Sequence, residues 1–247
     1  MINRTLIRLS GPDTVEFLQG LITNDVAKTS GGLVYAALLT PQGKYIADFF
    51  VTAQDGALLI DVATSHAAML AQRLTMYRLR SDVQIAEAPL LVSRGTGTAP
   101  NSALPDPRHA ALGWRLIAAT DQSDDTDWDA LRVAHVIPET GIELTPETYI
   151  LEAGFERLNG VDFRKGCYVG QEIAARMKHK TELKKGLAQV SISGVAPAKF
   201  PMGTEITTNG RPAGTLYTQS GGLALAHLRF DRATGDMQAG GATLRRT

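Results

Sequence analysis

Apolar positions at helical spacing open the chain. Val15, Phe17, Leu18, Leu21 and Ile22 fall on one stripe of residues 11–22, with Asp13 placed as the N-cap. The period then shortens. Residues 33–39 and 45–52 read as strands, and Pro41-Gln42-Gly43 between them has the composition of a hairpin turn. Residues 57–62 form a third strand. Residues 65–77 return to helical spacing behind a cap at Thr64 or Ser65, and 83–86 read as another strand. Helices gathered on one face of an antiparallel sheet predict an α+β fold.

Beyond this the pattern loosens. Residues 94–108 are rich in Gly, Thr, Pro, Asn and Ser and read as an exposed loop, and 121–127 are acidic and polar. A helix is expected over 128–135. It ends where Pro138 disfavours helix in the residue before it, and a surface crossing runs on to Tyr149. After Lys180 come short strands at 186–193, 203–207, 214–218 and 223–228. Asn209-Gly210 is the strongest hairpin signal in the chain. The expected organisation is an α+β region over 1–180, with two subdomains, and a small β-barrel over 181–247.

Composition narrows the classes. An apolar content of 44% supports a sizeable core in 247 residues. Lys plus Arg (25) equals Asp plus Glu (25), so no overall charge pulls the chain toward nucleic acid or a membrane surface. The basic run Arg176-Met177-Lys178-His179-Lys180, with Lys184-Lys185, suits either a helix end or an anion. The five histidines lack the short spacings of structural zinc sites. No secretory pattern or bilayer-length apolar run appears, and the expected location is cytoplasmic.

The single cysteine, Cys167, cannot form an intrachain disulfide, so its use is packing, reactivity or ligation. It stands in Lys165-Gly166-Cys167-Tyr168-Val169-Gly170-Gln171-Glu172, with Arg176 beyond. A helix starting near Tyr168 would place the thiol at its N-terminus, where unpaired N–H groups favour a thiolate. Lys165 and Arg176 would favour the thiolate too. The bland alternative is a small buried hydrophobe, but an apolar core site needs none of these charged neighbours. Nucleophile, redox sensor and one ligand of a shared metal centre all remain open.

That segment resembles the signature of the YgfZ family, folate-binding proteins related to the T-protein of the glycine cleavage system. Leu158-Asn159-Gly160-Val161-Asp162-Phe163 fits the same pattern. So do Leu9-Ser10-Gly11-Pro12-Asp13, Phe17-Leu18-Gln19-Gly20, Thr23-Asn24-Asp25 and Leu39-Thr40-Pro41-Gln42-Gly43-Lys44. The resemblance implies a T-protein-like multidomain arrangement around a central cavity. It also implies tetrahydrofolate or a derivative as cofactor. The function it implies is an accessory factor for assembly or repair of iron–sulfur clusters in client enzymes, including tRNA-modifying ones. On this reading Cys167 is the reactive thiol or transient ligand, no metal is held stably by one chain, and the partners are reduced folate and iron–sulfur proteins.

A departure from the pattern bears on catalysis. The T-protein carries paired aspartates after its first hairpin, one of them essential for aminomethyl transfer, and Ala47-Asp48 occupies that place here. Losing such an electrostatic contact raises a barrier by about 3–4 kcal/mol, which argues against aminomethyl transfer. Asp48 and Glu152 are the candidate folate contacts, with Arg176 a weaker one. The alternatives are a one-carbon transferase with an altered site, or a redox module using Cys167 alone.

Overall fold

Strands buried on both faces explain the first sheet. The computed structural model describes residues 3–180, 182–194 and 200–247, apart from the Lys180 side chain. Strands β1 (Arg4–Ser10), β2 (Val34–Leu39), β3 (Tyr45–Gln54), β4 (Ala57–Ala63) and β5 (Gln84–Ala88) form one antiparallel sheet in the order β2-β3-β4-β1-β5. Every residue of β2 and β4 is buried, which is why they read as nearly continuous apolar runs. One face carries Leu38, Phe49, Val51, Ile60 and Val62. It packs with Phe17 and Leu18 of helix α1 (Thr14–Gln19) and with Leu70 and Leu74 of helix α2 (Thr64–Arg78).

The opposite face is polar at its centre. Arg4 Nε and Arg115 Nη1 bond the two oxygens of Asp61 at 2.5 and 2.7 Å. Arg115 Nε and Arg108 Nη2 bond Asp106 at 3.0 and 2.8 Å. Burial raises the Asp106 pKa, but Arg108 and Arg115 outweigh it and hold the carboxyl well below the usual range. The Arg115 guanidinium lies 3.7 Å from the Phe50 ring centroid. Beside this network is a three-stranded sheet, β6 (Leu91–Gly95), β7 (Leu104–Pro105) and β8 (Trp114–Ala118), in the order β6-β8-β7.

The chain divides into two compact units, 1–126 with 155–175, and 127–154 with 176–247. Residues 127–154, grouped by sequence with the N-terminal region, cluster with the barrel; the expected division after residue 180 falls at Thr181, outside the described residues. The second unit holds helix α3 (Trp128–His135) and a closed barrel. Its strands are β9 (Lys185–Ser193), β10 (Thr204–Thr208), β11 (Arg211–Ser220), β12 (Leu223–Arg229), β13 (Met237–Ala239) and β14 (Ala242–Arg246), ordered β10-β11-β12-β9-β14-β13. Val190, Ile206, Leu216, Leu228, Met237 and Leu244 fill it. Asp127 caps α3 by accepting from Ala130 N at 3.0 Å. Arg132, buried on α3, bonds Glu143, which also accepts from the Thr218 hydroxyl at 2.6 Å.

Several expectations are corrected. Helix α1 is shorter than 11–22, and Asp13 does not cap it through its side chain; that carboxylate accepts from Asp82 N at 2.7 Å. Neither Thr64 nor Ser65 caps α2, whose N-cap is Ala63. Strand β1 and the strands around 91–118 were not anticipated. Arg4 and Arg115 look like surface residues until Asp61 is brought to them from 57 and 54 positions away.

Candidate functional site

The segment around Cys167 is held at both ends. At one end, the Lys165 ammonium lies 2.6 Å from Gln19 O and 2.6 Å from Ile22 O, at the C-terminal end of α1. Gln19 ends α1, so its carbonyl has lost its intrahelical partner and carries the negative pole of the helix, which a cation suits; Ile22 lies just past the helix. Burial lowers the Lys165 pKa to about 8, against the opposing pull of Asp25 and Asp162. The residues just before it are tied to the same neighbourhood. Thr23 Oγ1 donates to Gly160 O at 2.7 Å, and Asn24 Nδ2 donates to Asn159 O at 2.7 Å. Lys28 and Asp162 form an ion pair at 2.7 Å.

At the other end, Gly170 meets the hairpin between β2 and β3. With φ at 83°, it lies where a Cβ would be 2.6 Å from Thr40 O and 3.2 Å from Gly43 Cα. Only glycine permits that approach together with that backbone conformation. Helix α4 (Gln171–Lys180) starts immediately afterwards, and Gln171 Oε1 accepts from Tyr168 N at 3.3 Å.

Between these ties Gly166 and Cys167 are exposed. The thiol precedes the helix in the loop rather than sitting at its N-terminus, correcting the start expected near Tyr168. Lys165 is likewise corrected from thiolate partner to anchor, since its charge is spent on two carbonyls. Tyr168 is buried, and its hydroxyl has no hydrogen-bond partner among the described residues; burial pushes its pKa up to about 12. Glu172 and Arg176 are exposed on α4, Arg176 falling in the barrel unit.

Of the two candidate folate contacts, Asp48 belongs to the first unit and Glu152 to the second. Asp48 is not a solvent-facing strand end. It is buried, and its oxygens accept from the Tyr35 hydroxyl at 3.0 Å and the Tyr45 hydroxyl at 2.7 Å. Burial, then the Asp48 charge, push the Tyr35 pKa well above its ordinary value. Glu152 pairs with His227 Nε2 at 3.3 Å. Both carboxylates therefore have partners within the protein. Among the described residues no three His, Cys, Asp or Glu side chains gather to hold a metal, and no helix is long and apolar enough to cross a membrane. Sequence reasoning missed Tyr35, Tyr45 and the arginine network, of which Tyr35–Asp48, Arg4–Asp61 and Arg115–Asp61 join separate strands or distant positions.

Residues 184–247 match the C-terminal β-barrel domain of CAF17. The aminomethyltransferase T of the Bartonella henselae glycine cleavage system superposes with a TM-score of 0.80 at 14% identity, covering 99% of this chain and 82% of that one. The fold is therefore T-protein-like, as expected. The mitochondrial iron–sulfur cluster assembly factor IBA57 of Mus musculus is 31% identical over 95% of this chain and 78% of its own length. The Homo sapiens protein of the same name is 28% identical over the same shares, 95% and 78%. A fungal homologue from Phaeosphaeria nodorum is 30% identical over 94% of this chain and 70% of its own. All three are named as mitochondrial proteins, which overturns the expectation of a cytoplasmic location. The Lys165–Glu172 loop and the T-protein-like fold thus sit in a chain that belongs to the IBA57 family of iron–sulfur cluster assembly factors.

Proposed function

We propose that this protein supports assembly of iron–sulfur clusters in client proteins, with Cys167 as its working ligand. The observation that carries the reading is the exposed thiol of the chain's only cysteine, on a loop tied down at Lys165 and Gly170. Thiolate is a soft ligand suited to cluster iron. A cluster takes about four ligands, so one Cys167 thiolate engages it as shared cargo, with the remaining ligands from a partner protein or small thiols. An anchored loop presents the sulfur without first having to be ordered, which lowers the cost of capture.

The resemblance to the YgfZ family on Lys165–Glu172 supports the same reading and adds two finer elements, reduced folate and tRNA-modifying clients. Tetrahydrofolate stands on that resemblance alone. Asp48 and Glu152 add no independent support, since each already has a partner within the protein.

The test is complementation in cells lacking the protein, scored by activity of a cluster-dependent enzyme. Cys167→Ser should abolish support while the purified variant melts as the wild type does. A folded Cys167→Ser protein that complements fully would overturn the ligand role. Titration calorimetry with tetrahydrofolate decides the folate element separately.

A further inference from the structure

The charges of this chain cancel only in sum. Residues 176–247 hold 11 Lys and Arg against 4 Asp and Glu, a net +7, while residues 1–175 hold 14 against 21, a net −7. Strand pairing collects much of the positive excess at one end of the barrel. Lys185, where β9 begins, stands directly opposite Arg229, where β12 ends. Like charges in that register repel and cost stability. The chain then turns, Arg232 N donating to Arg229 O at 3.0 Å. The Arg232 guanidinium reaches Pro212 O at 2.6 Å, next to Arg211 at the start of β11. Arg246, near the end of β14, lies over the Phe230 ring, 4.4 Å from its centroid.

Few anions answer these cations. Asp231 pairs with Arg229 at 3.3 Å, and Asp236 pairs with Arg245. Lys184, Lys185, Arg211 and Arg246 are exposed, and none has a carboxylate partner among the described residues. Beside Arg246 is an open cavity of about 570 Å³, lined also by Ala233, Gly235, Asp236 and Arg245. The crowding opposes folding, so its use lies outside the chain, in a partner of negative charge. Nucleic acid fits less well than protein. Phe230, the ring at this end, is half-buried beneath Arg246 and offers no face for a base to stack on. An extended polyanion also meets the −7 of residues 1–175, which offsets its long-range attraction, whereas a compact acidic patch spans only the barrel end.

We propose that this end of the barrel docks an acidic protein surface, one carboxylate of the partner entering the cavity beside Arg246 and others meeting Lys184, Lys185 and Arg211. The inference uses neither Cys167 nor the cluster reading. Fluorescence anisotropy on the full chain tests it, with a labelled oligoglutamate peptide as probe beside a single-stranded oligonucleotide of equal charge. The peptide binds at low salt and is released as salt rises. Lys185→Glu combined with Arg246→Glu weakens it at least about tenfold. Arg73→Glu, which reverses an exposed cation on α2, leaves it unchanged. Lys185→Glu alone raises the melting temperature by about 1–2 °C, because a like-charged cross-strand pair becomes an opposite one. A peptide that fails to bind overturns the proposal, as does a Lys185→Glu, Arg246→Glu chain that binds it normally. An Arg73→Glu chain that loses as much affinity shows that only net charge is read, and an oligonucleotide bound more tightly than the peptide assigns the face to nucleic acid; either result overturns it too. A lower melting temperature for Lys185→Glu removes the premise that the paired cations oppose folding.

Discussion

Lys165 and Ile22 meet across 143 positions of sequence, the ammonium of one 2.6 Å from the carbonyl oxygen of the other. This bond ties the segment that carries Cys167 to the end of α1, and it changes what the lysine is for. A charge facing two main-chain oxygens and buried to 7% exposure is an anchor. The adjoining bonds from Thr23 and Asn24 to Gly160 and Asn159 extend the seam. Two separated phrases of the sequence, Thr23-Asn24-Asp25 and Leu158 to Lys165, are therefore one structural feature.

Replacing Lys165 by methionine keeps the stem and removes the donors. It should lower stability by about 2 kcal/mol at neutral pH, because two buried carbonyls lose a charged partner. The pH dependence is equally specific. Burial lowers the folded-state pKa to about 8 from 10.5, so between those values the unfolded chain holds more protons than the folded one. Titration therefore adds to the contribution of these bonds as pH rises, an increment absent below about 8 and complete above 10.5. Urea denaturation at a series of pH values should show the gap between wild type and Lys165→Met widening from pH 8 upward. A gap that narrows there would contradict the lowered pKa of this buried lysine.

The two glycines flanking Cys167 should respond in opposite ways to alanine. Gly170→Ala places a Cβ 2.6 Å from Thr40 O at a φ of 83°, and should cost more than about 2 kcal/mol. Gly166→Ala meets nothing within 4 Å and should change stability by less than about 0.5 kcal/mol. Chemical denaturation midpoints for the pair decide this. Equal effects would mean that the hairpin contact is not what holds the loop.

How far the sequence carried this reading depends on where each partner lies. The hairpin at Pro41-Gln42-Gly43 and the helix Trp128–His135 announce themselves through local turn chemistry and apolar spacing. The hairpin at Asn209-Gly210 does too, with Asn209 at a φ of 50° as that turn demands. The cysteine motif was legible as a motif, but its glycine and lysine acquire a purpose only when Thr40 and Ile22 arrive beside them. Strand β1 was hidden because Arg4 reads as a surface residue until Asp61 pairs with it. Asp48 was misjudged because one of its tyrosines, Tyr35, comes from the neighbouring strand β2, and three-residue spacing on β3 does not mark Tyr45 as the other.

Tyr168 offers a test of an unusual cost. Its hydroxyl is buried without a partner among the described residues, a state that typically costs about 1–3 kcal/mol. Tyr168→Phe removes the oxygen and keeps the ring, over which Lys165 Nζ sits 5.1 Å from the centroid. Thermal and urea unfolding should show a variant as stable as the wild type, or more stable by about 1 kcal/mol. A loss of that size instead would reveal a bond to the hydroxyl.

Ala47 and Asp48 settle whether an aminomethyltransferase site could be restored by a single substitution. They are neighbours on β3, so their side chains leave opposite faces of the sheet. Ala47 is fully buried in the apolar layer with Phe49 and Val51, whereas Asp48 faces Tyr35. Ala47→Asp would put a carboxylate among aliphatic side chains with no cation to meet it, at a cost of about 4 kcal/mol or more. The variant should lose most of its stability and gain no folate-dependent transfer. Asp48→Ala should cost about 3 kcal/mol by removing the acceptor of two buried phenols, without touching the exposed thiol. Folding measurements together with an aminomethyl-transfer assay check both variants. A stable Ala47→Asp protein with transferase activity would show that β3 can turn this residue toward a substrate, and the argument from Ala47 against aminomethyl transfer would fall.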